Sequence, residues 1–233
     1  MIGWAAPTIY IAMAKIPKLF QQFTYWPTYS FFKVLFDYEV EGLENLKGLE
    51  DRGVIFASNH AGFFDGPICA AAMPREGVVP GSFFPVRFVV AKEYFHPLGS
   101  PIPFPVSALT ASYVRVNGSV PVVRAHGNLR QSLSEAVKVL ERGGKIWIYP
   151  EGRFTKDGIL QPGKKGVAHL HLETGAPIVP VGLIGTFKLH SFKTLLERKP
   201  IRIRIGEPIH SLGSVDLEEG IKRVMAEIGR LVG

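Results

Sequence analysis

Two residues able to move a proton, His60 and Asp65, stand five positions apart in the stretch "SNHAGFFDGP". The imidazole of histidine titrates near neutral pH, so a histidine oriented by a carboxylate can take a proton from a hydroxyl group or from water. A second interpretation stays open, because Asp65 before Gly66 and Pro67 also has the sequence of a helix start, where it would only cap the helix. The residues alone do not choose between a catalytic pair and a cap.

If the pair is catalytic, a short strand must position it. The run from Val54 to Ala57 is continuously apolar, as in a buried strand, and it ends just before Asn59 and His60. His60 would then follow the carboxyl end of a strand, where open α/β sheets bind their ligands. Residues five apart on one helix point to different faces. Contact therefore requires His60 in a strand-to-helix loop and Asp65 folded back toward it.

The rest of the chain alternates short apolar strands with helical segments, which predicts an α/β fold with a mostly parallel central sheet flanked by helices. Further strands are expected at Arg87–Ala91, Ser119–Val123, Lys145–Tyr149, Ile178–Ile184 and Ile201–Ile205. Helices are expected at Pro67–Met73, Leu129–Arg142, Lys164–Glu173 and Val215–Leu231. Residues 74–86 and 97–112 contain several glycines and prolines and are expected to be long loops.

Composition limits the kinds of site that the chain can hold. At 233 residues and 46% hydrophobic content it can bury a sizeable core. The single cysteine, Cys69, excludes an intramolecular disulfide and a cysteine-rich zinc site, and its apolar neighbours predict a core residue. His169 and His171 are predicted at alternate positions of an exposed helix, so we expect no metal site. No phosphate-binding loop, dinucleotide fingerprint or nucleophile elbow occurs.

Residues 1–36 differ in composition from the rest of the chain. They hold three lysines and no acid, which accounts for three of the seven net positive charges. They also hold ten of the 26 aromatic residues, namely Trp4, Tyr10, Phe20, Phe23, Tyr25, Trp26, Tyr29, Phe31, Phe32 and Phe36. Aromatic and basic residues together are typical of helices at the headgroup level of an anionic membrane.

The same segment is too interrupted to cross a bilayer. Pro7, Pro17 and Pro27 break its two apolar stretches, and neither reaches the roughly 20 residues of a spanning helix. The segment does not have the pattern of a secretory signal peptide, because its basic residues follow the first apolar run and no small-residue cleavage site is evident. We therefore predict that 1–36 forms peripheral membrane-docking helices and that 37–233 forms the main domain. One cysteine fits a reducing compartment, so docking is expected on a cytoplasmic face. Helices packed entirely on the protein's own core remain the alternative. The few lysines do not suggest a nucleic-acid partner.

Three further stretches, taken together with the one that holds His60 and Asp65, resemble the motifs of a known family. "NHAGFFD", "GSVPVVR" (118–124), "IYPEGRF" (148–154) and "APIVPVGL" (176–183), in this order, resemble the four motif blocks of the glycerolipid acyltransferase family. Its best-known members are the 1-acyl-glycerol-3-phosphate acyltransferases. The resemblance covers about residues 40–210. It implies transfer of a fatty acyl group from an acyl thioester, acyl-CoA or acyl carrier protein, to the hydroxyl of a lysophospholipid in phospholipid biosynthesis, with membrane lipids as partners and no cofactor beyond the thioester.

The resemblance also assigns roles to residues. His60 would be the general base and Asp65 would fix its tautomer. The positions implicated in acceptor binding are matched by Arg124, Glu151 and Gly152. Arg124 suits bidentate capture of a phosphate, Glu151 would orient Arg124 or an acceptor hydroxyl, and Gly152 would allow close backbone approach. Lys92, Lys164 and Lys165 are weaker candidates for phosphate contacts, and each could equally be a solvated charge on a helix or a loop.

Two departures from the family pattern bear on the acceptor. Arg153 stands where the third block commonly has Thr, so a cation replaces a hydroxyl near the expected acceptor site. The interval between Lys92 and Arg124 is also longer than usual, with "SPIPFPVSALTA" as the expected insertion. Three functions stay open at this point: a lysophospholipid acyltransferase or one acting on another lipid or glycolipid, an acyl-thioester hydrolase using the same pair on water, and a catalytically silent lipid-binding protein.

Overall fold

The computed structural model describes residues 6–98, 100–123, 128–189, 197–213 and 216–233, with side chains from residue 15 onward. The strands are β1 (Asp37–Glu41), β2 (Val54–Ser58), β3 (Val86–Ala91), β4 (Val120–Val122), β5 (Lys145–Ile148), β6 (Ile178–Ile184) and β7 (Pro200–Ile205). The helices are α1 (Ala6–Leu35), α2 (Asp65–Ala71), α3 (Val106–Val116), α4 (Leu129–Glu141), α5 (Gly166–Thr174) and α6 (Leu217–Val232). Short 3₁₀ turns lie at Leu43–Leu46 and Lys92–Phe95.

The strands form a single sheet in the order β1-β7-β6-β2-β5-β3-β4. Every neighbouring pair is parallel except β6 and β7, which run antiparallel. The α/β fold with a mostly parallel sheet is therefore confirmed. Because β6, β2, β5 and β3 run in one direction, their carboxyl ends meet at the same edge of the sheet, which we call the carboxyl edge.

Helices cover both faces of the sheet, and this is why its central strands are apolar on both sides. On one face, α1 and α2 pack over side chains such as Phe56 and Trp147. On the other, α4, α5 and α6 pack over Ile55, Ile146 and Ile178. The cysteine predicted as a core residue, Cys69, is fully buried on the first face. The two cores hold the carboxyl ends of β2 and β5 rigidly side by side.

The N-terminal segment is one helix rather than two stretches broken by prolines. Pro17 and Pro27 both lie inside α1. A buried amide anchors this helix: Gln21 Nε2 donates to Val86 O at 2.8 Å and to Asn117 O at 3.0 Å, and Gln21 Oε1 accepts from Val86 N at 2.9 Å. Tyr25 and Phe32 are buried in the core beneath the helix. One face of α1 thus belongs to the core of the main domain.

The opposite face of α1 is exposed and apolar, at Ile16, Leu19, Phe23, Trp26, Phe31 and Val34. A helix packed entirely on the protein's own core would not leave such a face outside. Over the described residues, no helix combines the length and hydropathy needed to cross a bilayer.

The structure corrects three sequence-based expectations. The predicted loop 97–112 contains the start of α3, which begins directly after Pro105; prolines that precede a helix are compatible with it and concealed it in the sequence. The strand β1 was missed because "DYEVE" is mostly charged, as suits an edge strand. His171 is buried, not exposed, and its Nδ1 lies 2.8 Å from Ala176 O. The loop after α2 extends to Pro85, as expected.

Candidate active site

The loop that follows β2 is fixed to both neighbouring strands. Trp147 Nε1, on β5, donates to Ser58 Oγ at 2.8 Å. Asn59 bridges to β6 through both of its amide atoms: Nδ2 donates to Leu183 O at 2.9 Å and Oδ1 accepts from Leu183 N at 2.7 Å. The backbone at His60 therefore starts from a defined position at the carboxyl edge.

His60 and Asp65 are in direct contact. His60 Nδ1 lies 2.9 Å from Asp65 Oδ2, and the same oxygen accepts the backbone N–H groups of Ala61 at 2.8 Å and Gly62 at 2.9 Å. The Asp65 side chain is 0% exposed and that of His60 is 17% exposed. A carboxylate oxygen only accepts, so Nδ1 is the donor in this bond, and in a neutral imidazole the lone pair is then on Nε2. The structure records no hydrogen bond from Nε2 to any described residue.

This contact depends on a tight turn between the two residues. A Cβ at Gly62 would lie 2.4 Å from Thr186 O, so only glycine fits there. Although α2 begins at Asp65, its N-cap is Phe64, which caps no backbone group with its side chain. The Asp65 carboxylate turns back to the loop instead of capping the helix. Of the two interpretations that the sequence left open, the geometry of a paired imidazole and carboxylate is the one observed.

Two aromatic rings cover the faces of the imidazole. The Tyr149 ring stacks on that of His60 with centroids 3.8 Å apart and planes 9° apart, and the Phe154 ring lies 4.0 Å away at 35°. Burial raises the pKa of the Tyr149 phenol well above its usual value, so this ring is neutral. With both faces covered and Nδ1 bonded to Asp65, the Nε2 edge of the imidazole is the side on which a substrate can bind.

Glu151 holds the backbone of the His60 loop. Its Oε1 accepts from His60 N at 2.7 Å and its Oε2 accepts from Gln161 N at 2.8 Å. Burial raises the pKa of this carboxyl, and the two N–H donors partly offset that effect. The next peptide unit is also held, because Thr155 N donates to His60 O at 2.9 Å. The block 148–154 and its next residue thus fix His60 through backbone bonds and ring contacts.

Gly152 and Lys164 lie together beside this block. Gly152 has a φ of +67°, a conformation that favours glycine. A Cβ at this position would lie 3.0 Å from Lys164 Nζ, so the ammonium lies directly over the glycine. Lys164 N also donates to Pro150 O at 2.8 Å. The structure therefore brings one of the predicted phosphate-binding lysines to the Glu151 turn.

The remaining sequence-predicted site residues are Lys92, Lys165 and Arg124. Lys92 is exposed and opens the 3₁₀ turn at the end of β3, on the carboxyl edge. Lys165 Nζ forms an ion pair with Glu218 Oε1 at 2.7 Å, which joins α5 to α6. Arg124 lies outside the described residues. Arg153 is exposed.

Sequence reasoning missed the roles of Tyr149, Phe154, Thr155 and Asn59. Tyr149 and Phe154 flank the Glu151 block, and their aromatic character was the available signal. Asn59 could have been suspected because a polar amide directly after a buried strand needs partners. Cys69 takes no part as a nucleophile, because burial raises the pKa of its thiol well above the usual value. Within the described ranges, no cluster of three His, Cys, Asp or Glu residues could hold a metal.

Known proteins resemble this chain over most of its length. The chloroplastic 1-acyl-sn-glycerol-3-phosphate acyltransferase BAT2 of Brassica napus is 26% identical over 221 residues, which is 93% of this chain and 56% of that protein. The chloroplastic enzyme LPAT1 of Arabidopsis thaliana, with the same activity in its name, is 28% identical over 84% of this chain and 48% of its own. The chain spans about half the length of these curated relatives.

A solved structure has the same fold. The crystal structure of the 1-acyl-sn-glycerophosphate (LPA) acyltransferase PlsC from Thermotoga maritima superposes with a TM-score of 0.62 and 24% identity, covering 95% of this chain and 90% of that one. The Acyltransferase family model matches residues 37–184, well over half of the 233 residues, and this range includes the His60–Asp65 contact and the Glu151 turn. The chain belongs to the Acyltransferase family.

Proposed function

We propose that the protein transfers a fatty acyl group from an acyl thioester to the hydroxyl of a lysophospholipid, with 1-acyl-glycerol-3-phosphate as the favoured acceptor. The observation that carries this proposal is the His60–Asp65 contact of 2.9 Å, with the remaining imidazole nitrogen on an open edge. The acceptor class is supported by family membership and by the names of the relatives, which specify 1-acyl-sn-glycerol-3-phosphate. The reaction would serve phospholipid biosynthesis.

The proposed step needs only groups that this chain and its two substrates supply. His60 Nε2 takes the proton of the acceptor hydroxyl while the oxygen attacks the thioester carbonyl carbon. Asp65 stabilises the imidazolium that forms. The tetrahedral adduct collapses, the C–S bond breaks, and the imidazolium returns the proton to the leaving thiolate. A new ester, a free thiol and neutral His60 result. The thioester already activates the acyl group, so we propose neither a cofactor nor a metal, whether the donor is acyl-CoA or acyl carrier protein.

Cations at the carboxyl edge would bind the acceptor phosphate. Lys164, over Gly152, is close to the catalytic loop, and Lys92 lies at the same edge. We assign the main phosphate contact to Arg124, at the end of the second motif block. Both oxygens of Glu151 accept backbone N–H groups, so we propose that this residue positions His60 rather than binding a hydroxyl. Lys165, already paired with Glu218, is a weaker candidate for phosphate.

The substrates are membrane lipids, so we also propose that the protein docks on a membrane as a peripheral protein, on its cytoplasmic face, through α1. Extracting an acyl chain from a bilayer costs roughly 0.8 kcal/mol per CH₂ group, and docking at the headgroup level avoids most of that cost. The exposed side of α1 is apolar and its lysines can meet anionic headgroups. Residues 37–233 would be the catalytic domain.

The deciding experiment offers one labelled acyl-CoA together with a panel of lysophospholipids. We expect ester formation that is fastest with 1-acyl-glycerol-3-phosphate, and a raised KM for this acceptor, but not for the donor, in Arg124→Ala. Fastest transfer to another lipid would change the acceptor. Thioester cleavage that no lysolipid accelerates would instead identify a hydrolase, the second candidate, which could use the same imidazole on water.

A further inference from the structure

The helix α3 is apolar on two opposite faces. Its inward side chains are small and buried: Ser107, Ala111 and Val114. On the other side, an apolar stripe with spacings of three, four and three residues is exposed, at Val106, Leu109, Tyr113 and Val116. Residues so spaced lie on one face of a helix. We call these four side chains the α3 stripe. Leu109 alone is 70% exposed, and a contiguous exposed apolar face marks an interaction surface.

The exposed side of α1 carries the same pattern. Its first four exposed apolar side chains, also spaced by three, four and three residues, are Ile16, Leu19, Phe23 and Trp26. We call them the α1 stripe. Phe23 is 81% exposed although it is a large aromatic residue. Both helices therefore bury one narrow face and present another apolar face outward.

The two helices are in contact. The rings of Phe20, on α1, and Tyr113, in the α3 stripe, meet edge to face with centroids 6.3 Å apart. Gln21 Nε2 donates to Asn117 O, the residue that caps the C-terminus of α3, at 3.0 Å. The α3 stripe thus contacts α1 at Phe20, the residue next to Leu19 of the α1 stripe.

Charge distinguishes among the possible occupants of this surface. Residues 1–36 contain no Asp or Glu, and neither does the stretch 94–134, which includes all of α3. The exposed charge that α3 does carry is Arg115. Two segments distant in sequence, both free of acids, therefore lie side by side with apolar side chains outward. Beside the two stripes lie Arg75, whose guanidinium is 5.0 Å from the centroid of the Trp26 ring, and the 3₁₀ turn that packs on α3 and carries Lys92 and Glu93. An apolar area bordered mainly by cations is complementary to an anionic lipid surface.

We propose that α3 is a second membrane-contacting element, so that the α3 and α1 stripes form one lipid-facing surface. This rests on the docking of α1 within the function proposed above. A single interfacial helix leaves the protein free to rotate about the helix axis. Contact through two helices fixes the orientation of the domain and hence of the edge that carries His60.

The experiment measures binding of the full chain to phosphatidylglycerol–phosphatidylcholine vesicles by sedimentation, with Leu109→Glu on α3 and Phe23→Glu on α1. The matched control is Leu172→Glu, which changes an exposed leucine on α5, across the sheet. We expect Leu109→Glu and Phe23→Glu each to weaken binding by about tenfold or more, because each replaces an exposed apolar side chain that would enter the lipid with a charged one. Leu172→Glu should bind like the wild type. Circular dichroism checks that each variant is folded.

Each outcome separates this inference from the function it rests on. If Phe23→Glu releases the protein and a folded Leu109→Glu does not, α3 has no lipid contact while docking through α1 stands. If the wild type does not bind the vesicles but acylates a short-chain soluble acceptor, neither stripe contacts lipid and the acyltransferase proposal survives. The oligomeric state without vesicles gives a further check. If the wild type is a dimer and Leu109→Glu is a monomer, the α3 stripe is a contact between two copies and the inference is overturned.

Discussion

The two ends of β5 use buried charge in different ways. At the amino end, Lys145 is buried and its Nζ donates to Glu50 O, Arg52 O and Gly143 O at 2.7, 2.8 and 3.0 Å. At the carboxyl edge, the carboxylates of Asp65 and Glu151 accept backbone N–H groups of the loop that carries His60. Each buried charge fixes a loop by backbone hydrogen bonds.

The two ends of β5 differ in whether a hydrogen-bonding group remains available to bind a substrate. All three N–H donors of Lys145 bond to carbonyls, so no donor remains for a substrate. At the carboxyl edge, the carboxylates hold a histidine whose Nε2 makes no hydrogen bond with the described residues. A buried charge whose bonds are all satisfied indicates structure. A group that is held firmly but keeps one open position indicates a site. Substitutions at the two ends should therefore separate stability from activity.

Among the residues that hold a buried charge at the two ends of β5, the largest effect is expected for Asp65→Asn. An amide nitrogen facing Nδ1 would donate, move the imidazole hydrogen to Nε2 and remove the base, so we expect kcat to fall by roughly 10²- to 10⁴-fold. The variant is measured by acyl transfer, with a thermal melt to confirm folding. A folded Asp65→Asn enzyme with nearly normal kcat would reduce Asp65 to a residue that merely shapes the loop.

Lys145→Met should affect stability alone. Three carbonyls lose their donor, so we expect the free energy of unfolding to fall by about 1–3 kcal/mol, with normal kcat for the folded enzyme. Burial lowers the pKa of Lys145 to about 8 from 10.5. Between these two pH values the unfolded chain holds a proton that the folded chain has released. The wild type should therefore gain stability as pH rises through this window, by at most about 3 kcal/mol.

The matched comparison is the pH dependence of denaturant unfolding for the wild type and Lys145→Met. Between pH 8 and pH 10.5, the free energy of unfolding should rise less for the methionine variant, because the contribution of Lys145 is missing. Identical slopes for the two proteins would show that Lys145 has its ordinary pKa. A loss of kcat in folded Lys145→Met would remove the distinction between the two ends of the strand.

Glu151→Gln should affect both stability and activity. A glutamine can accept only one of the two N–H groups that the carboxylate accepts, so the His60 loop loses a bond. We expect kcat to fall about tenfold, with KM for the acceptor unchanged, and the melting temperature to fall by several degrees. The control is Glu135→Gln, an exposed residue on α4. A raised KM with normal kcat would instead assign Glu151 to acceptor binding.

The smallest effect is expected for Phe154→Ala. Its ring covers one face of the imidazole but is itself 45% exposed, so its loss admits water to the base without displacing the His60 backbone. We expect thioester hydrolysis to rise roughly a few-fold relative to transfer, because water that reaches Nε2 would be activated by the same base. Both products are counted from one labelled thioester, with Leu172→Ala as control. An unchanged ratio would mean that Phe154 does not exclude water.

The sequence was informative where a residue's role depends on local pattern. Continuous apolar runs predicted β2, β5 and β6, and the spacing of His60 and Asp65 predicted that they could meet in a strand-to-helix loop. Glu151 was recognised by its motif, but its two backbone partners lie ten and 91 positions away, and only the packed sheet brings them together. The outward apolar stripe of α3 was hidden because the residues before the helix are rich in proline.

The central claim is that His60 takes the proton of the acceptor hydroxyl. The most direct test compares His60→Ala with the wild type in acyl transfer from one acyl-CoA to 1-acyl-glycerol-3-phosphate in lipid vesicles, after circular dichroism and a thermal melt have established that the variant is folded. Loss of a general base predicts a fall in kcat of roughly 10²-fold or more with little change in vesicle binding. Near-normal turnover by a folded His60→Ala protein would contradict the account.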